Sequence, residues 1–111
     1  MAVTLKKLFE PTLLTNSLAT VFTLNEGQSI VENMVVRLTN TTVSSETVTG
    51  HLVPDGGTAS DTNKIFSADV PANDFVLVTI PVMKKSDFIQ FQQANTGTIV
   101  NIQHESGLPK V

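Results

Sequence analysis

From Leu18 onward the chain is a succession of short apolar runs rich in β-branched residues, each closed by turn-forming residues such as Gly, Pro, Asn, Asp or Ser. That spacing is the tightest constraint on what it can fold into. Runs of about four to eight residues bounded by turn chemistry read as strands, whereas a helix needs an apolar period of about 3.6 sustained over many residues. No long segment here provides that period. Fifteen threonines and fourteen valines point the same way, because branching at Cβ costs χ1 freedom in a helix and fits a pleated surface.

Leu18–Leu24 (LATVFTL) predicts a first strand, closed by Asn25-Glu26-Gly27-Gln28. Ser29–Asn40 sets Ile30, Met34, Val36 and Leu38 on one face, and Glu32 interrupts that face, predicting a bulge or a strand end. Glu46–Val53 alternates cleanly, with Val48, Gly50 and Leu52 opposed to Thr47, Thr49 and His51, as a half-buried strand does. Ile65–Val70 is a short strand ending at Pro71-Ala72-Asn73-Asp74. Phe75–Val82 is apolar on both faces and predicts a central, sandwiched strand, with Pro81 at its end or on an edge. Leu52 and Leu77 are both expected in the core. Phe88–Gln93 and Thr98–Glu105 flank Ala94-Asn95-Thr96-Gly97, a loop of hairpin length, and read as a terminal hairpin. About seven or eight short antiparallel strands without helices between them make an all-β domain, a jelly roll or β-sandwich, and exclude a parallel βαβ architecture.

A chain of 111 residues supports one core. It divides into an N-terminal arm over residues 1–17, a β domain over 18–105 and a C-terminal tail over 106–111. The arm carries Leu5, Leu8, Phe9, Leu13 and Leu14, more apolar surface than a solvated tail exposes, and these are the first candidates for partner contacts. The loop Pro54–Asn63, with Asp55, Gly56 and Gly57 near its start, is the second. Removing residues 1–10 is expected to leave a folded domain that has lost its partner. The beginning of the chain lacks an apolar run of signal-peptide length, and no segment approaches the roughly 20 apolar residues that span a bilayer. Neither secretion nor membrane insertion is expected.

Little in the sequence predicts catalysis, cofactor binding or nucleic-acid binding. The net charge is −3, the lysines gather only at Lys6-Lys7 and Lys84-Lys85, and Trp and Tyr are absent, so neither a phosphate-tracking groove nor a base-stacking platform is predicted. Without cysteine there is no disulfide framework and no thiolate metal site. His51 and His104 would still lack a third metal ligand if the fold paired them, and both are expected to face solvent. Asp55, Asp61, Asp69 and Asp74 read as turn formers, and Gly56-Gly57 lacks the lysine of a phosphate-binding loop. Asn40-Thr41-Thr42 matches a glycosylation sequon without a secretion signal beside it. No enzyme and no cofactor are expected. A binding module remains, either an assembly protein or a carbohydrate-binding adhesin, and the six phenylalanines mostly lie in strand runs, which favours assembly.

The leader LKKLFEPTLLTNS, the segment LATVFTLNEGQSIVENMVVRLTNTT, the PDGG loop and the run VPANDFVLVTIPV together resemble small virion proteins of tailed bacteriophages. Within that group the layout is most similar to the capsid decoration, or staple, proteins of epsilon-like short-tailed phages. The resemblance implies a jelly roll, made in the bacterial host cytoplasm, that sits on the capsid exterior. There it would bind the major capsid protein, associate with its own twin as a dimer and staple neighbouring subunits against the pressure of packaged DNA. Similar segments occur in tail and fibre components, which keeps that role as the alternative.

Overall fold

The structure, a computed structural model, describes residues 9–24, 30–31, 34–96, 99–106 and 109–110. Among them there are eleven strands and no helix: β1 (Thr12–Leu13), β2 (Ala19–Thr23), β3 (Ile30–Val31), β4 (Met34–Asn40), β5 (Glu46–Val53), β6 (Lys64–Val70), β7 (Asp74–Ile80), β8 (Met83–Lys84), β9 (Phe88–Gln93), β10 (Val100–Ser106) and β11 (Pro109–Lys110). Eight of them form two four-stranded sheets, ordered β1-β10-β4-β7 and β2-β9-β5-β6, with antiparallel pairing throughout. Along the chain, every step between these eight strands except β5 to β6 crosses from one sheet to the other. This is the wiring of a jelly roll, a β-sandwich of interleaved antiparallel strands. The short strands β11, β3 and β8 make a third small sheet.

The alternating side chains explain why the sheets face each other. Met34, Val36, Leu38, Val78, Ile80, Val100 and Ile102 from the first sheet meet Phe22, Val48, Val70, Ile89 and Phe91 from the second in one buried cluster. Leu14 from the stretch after β1, Leu24 from the stretch after β2 and Met83 from β8 complete it. The face predicted for Met34, Val36 and Leu38 is therefore the core face. In β5 the alternation holds through Gly50, where the register against β6 shifts, so that Val53 is fully buried and Leu52 only half-buried. The missing side chain at Gly50 is replaced by the Phe66 ring from the opposite strand, which stands edge-on to Phe91 at 5.2 Å.

The structure corrects three expectations. β9 and β10 are not a hairpin: β9 lies between β2 and β5, and β10 between β1 and β4. Both edges of each strand are thereby taken. The β1–β2 connection crosses with them, Leu14 N–H donating to the Val100 carbonyl at 2.8 Å and Gln93 N–H to the Thr15 carbonyl at 3.0 Å. β7 is not central but closes one edge of its sheet, with its outward residues exposed. Leu77 accordingly stands outside the core. The segment 1–17 also contributes a strand, since β1 covers the edge of β10 that would otherwise be free. The turn at residues 25–28 and the interruption at Glu32 lie outside the described residues.

Candidate docking surfaces

The outer faces of the two sheets differ in chemistry. On the second sheet the outward positions are mostly neutral and polar, including Thr20, Thr47, Thr49, Ser67, Gln90 and Gln92, with Gln90 Nε2 donating to Thr20 Oγ1 at 3.0 Å and Thr47 Oγ1 donating to the Asp69 carboxylate at 2.7 Å. On the first sheet the strand registers lay out one row of Leu13, Asn101, Thr39 and Phe75 and a neighbouring row of Gln103, Arg37 and Leu77. Leu13, Phe75 and Leu77 are 59%, 44% and 51% exposed. Leu13 and Phe75 stand three strand spacings apart, about 14 Å.

Arg37 organises this face. Its Nε and Nη2 donate to the two Glu105 carboxylate oxygens at 2.9 and 3.1 Å, a bidentate pair, while its guanidinium carbon lies 4.2 Å from the Phe75 ring centre. The shared hydrogen bonds raise the Arg37 pKa above its usual value and lower that of Glu105. Beside Phe75, the outer surface dips into a shallow groove lined by Thr39, Asn40, Thr41, Asn73 and Asp74.

The residues singled out from the sequence fall into separate places. Leu5 and Leu8 lie outside the described residues. Phe9 is half-buried against the core margin, its ring 6.2 Å from Phe22 and 5.8 Å from His104. Leu14 is 5% exposed and belongs to the core, because the turn of the chain after β1 carries it between the sheets. Of the three candidate arm residues described, Phe9, Leu13 and Leu14, Leu13 alone is openly exposed. Asp55 and Gly56 are exposed, and Gly57 is half-buried. They form a tight turn in which Gly57 N–H donates to the Pro54 carbonyl at 2.9 Å and Gly56 takes φ of 76°, the conformation a glycine provides. The rest of the loop is tied by Asn63, which donates to the Thr58 carbonyl at 2.8 Å and accepts from Ser60 N–H at 3.0 Å. The register of β5 against β9 and of β9 against β2 sets this loop at the end of the sandwich where Phe9 and Phe22 meet.

Phe75 and Leu77, which sequence reasoning placed inside, are the principal residues it missed for a docking face. The signal was available in Pro81, which closes the run and fits an edge better than a centre. The histidines do not simply face solvent. His51 and His104 are both half-buried, in different sheets. Burial first, and the Lys64 charge second, hold the His51 imidazole below its usual 6.5, against a weaker opposite pull from Asp61. Among the described residues no group of three His, Cys, Asp or Glu side chains stands close enough to hold a metal ion, and no helix is long and apolar enough to cross a membrane. No protein-family model matches the chain, and no curated protein matches it in sequence.

Proposed function

We propose that the chain is a structural protein of a phage virion that binds the outside of the capsid and staples neighbouring major capsid protein subunits. The observation that carries this reading is the outer face of the β1-β10-β4-β7 sheet, which exposed Leu13, Phe75 and Leu77 share with the Arg37–Glu105 pair. Aromatic and aliphatic side chains mixed with arginine are the composition of a protein interface. The jelly-roll wiring and the resemblance of the sequence to phage virion proteins support the same reading, since this architecture is frequent in viral shells. A sugar site gains less support. Phe75 is the only openly exposed phenylalanine among the described residues, and Arg37 occupies one face of its ring.

The mechanism is multivalent holding without catalysis. Each contact binds modestly, and a molecule that touches two coat subunits gains through effective concentration. Largely neutral contacts keep the grip tolerant of salt. The contacts fall to Leu13 and its neighbours on this face, with the Pro54–Asn63 loop second. Mass spectrometry of purified virions separated into capsids and tails tests the placement. The chain should fractionate with capsids and give no signal on a glycan array; recovery with tails, or glycan binding without capsid binding, contradicts the reading in favour of the tail or adhesin role.

A further inference from the structure

The loop Pro54–Asn63 is closed on itself and lightly joined to the sheet. Within it Gly57 N–H donates to the Pro54 carbonyl, Asn63 N–H to the Ser60 carbonyl and Asn63 Nδ2 to the Thr58 carbonyl, while the Ser60 and Thr62 hydroxyls share a bond of 2.7 Å. Among the described hydrogen bonds of residues 54–63, only one leaves the loop: the Asn63 carbonyl accepts from Leu52 N–H at 2.9 Å. The next pair below is His51 opposite Lys64, and beyond it the β5–β6 register breaks at the bulge before Gly50 meets Phe66. The loop is therefore a unit standing on a short, weakly zipped base.

His51 stands in that base and is poorly placed to carry a proton. Its Nδ1 is buried without a hydrogen-bond partner, so the imidazolium would present an N–H there with no acceptor. Lys64 faces it directly across the pair, and like charges so opposed destabilise a sheet. On the other side its register partner is neutral Gln90, and its neighbours along β5, Gly50 and Leu52, carry no charge. The loop contributes Asp61, whose attraction is outweighed: burial first and Lys64 second hold the imidazole below its usual 6.5. Outward movement of the loop gives Nδ1 water and lets Lys64 turn away.

We infer that His51 is a proton-operated latch on this loop. Neutral, it keeps the base zipped; protonated, it breaks the Leu52–Asn63 tie and frees Pro54–Asn63 as a unit while the sandwich stays folded. The sign follows from linkage. The open base gives His51 an ordinary pKa and the closed base a lower one, so the open form binds the proton first and gains as pH falls through 6.5. One proton is involved, so the opening constant rises by at most roughly tenfold per pH unit, until the closed form is protonated as well. The latch is a property of the free protein and stands whether or not the capsid reading does. Its consequence is that the second candidate contact surface changes shape between neutral and mildly acidic conditions.

Leu52 N–H, whose described acceptor is the Asn63 carbonyl, reports the latch directly. Its exchange with solvent is followed by NMR on the whole protein from about pH 8 to about pH 5, corrected for the intrinsic rate, with and without low urea. Local opening should expose Leu52 more often than Ala94, whose N–H donates to the Thr47 carbonyl at the far end of β5, and urea should leave the Leu52 opening unchanged. Below pH 6.5 that opening should rise by up to roughly tenfold per unit. His51→Gln should abolish the rise, and Lys64→Gln, at an exposed position, should shrink it by bringing the closed-state imidazole back toward 6.5. Leu52 exchange that needs global unfolding, an opening constant independent of pH, or a rise that survives in both variants would overturn the proposal.

Discussion

Asn40 is 1% exposed, and its amide joins three parts of the chain: Nδ2 donates to the Ser44 and Val70 carbonyls at 2.7 and 3.1 Å, and Oδ1 accepts from Thr42 N–H at 2.9 Å. The sequon match at Asn40 is thus a buried structural amide in the folded chain. Glu46, 2% exposed, plays a similar part at the same end of the sandwich, its carboxylate accepting from Thr47 N–H and from both the backbone and side-chain N–H groups of Asn95. Neither role was legible in the sequence, because nothing local distinguishes a buried amide or carboxylate from one in a solvated turn. Asn40→Ala should destabilise the fold by roughly 1–3 kcal/mol in denaturant unfolding, since it removes a buried bond to the Val70 carbonyl and part-buried bonds to the Ser44 carbonyl and Thr42 N–H. His51 gives a pH prediction with a definite sign. Its folded pKa lies below the ordinary 6.5, so the unfolded chain binds the proton first, and stability present above that value is lost as pH falls through 6.5 toward the depressed folded pKa. Melting temperatures should drop between neutral and mildly acidic pH, and His51→Gln should reduce the drop.

At the level of elements, β5 lies where the alternation of Val48 and Gly50 predicted it, β9 covers the predicted run Phe88–Gln93, and the loop Pro54–Asn63 holds the turn its glycines require. Alternation specifies which residues share a face, but not which strand lies next to which. That is why β9 and β10, separated by a hairpin-length loop, read as partners and yet belong to opposite sheets. Burial on both faces and an exposed apolar edge also look alike in sequence, and β7 is the case that separates them. Two substitutions measure the distinction: Phe91→Ala, fully buried, should cost about 3–5 kcal/mol, whereas Leu77→Ala should change the stability of the isolated domain by no more than about 0.5 kcal/mol. Gly50→Ala should cost about 1–3 kcal/mol, because the new methyl group displaces the Phe66 ring from its place against Phe91.

For the whole molecule, the candidate site was legible only in part. Leu13 is exposed as a contact residue should be, but Leu14 and Phe9 are used by the fold, so a truncation that tests the arm should stop after Leu8 and keep the Phe9 contacts with Phe22 and His104. The apolar face formed by Leu13, Phe75 and Leu77 arises only when β1 and β7 become the two margins of one sheet, a relation that no local pattern encodes. The most direct measurement of the proposed stapling role is co-sedimentation of the purified protein with undecorated phage capsids, at low and at high salt. Wild type should pellet with capsids in both, and Leu13→Asp, with unchanged melting temperature, should stay in the supernatant. Wild type left in the supernatant at either salt, or Leu13→Asp pelleting as wild type does, would contradict that role.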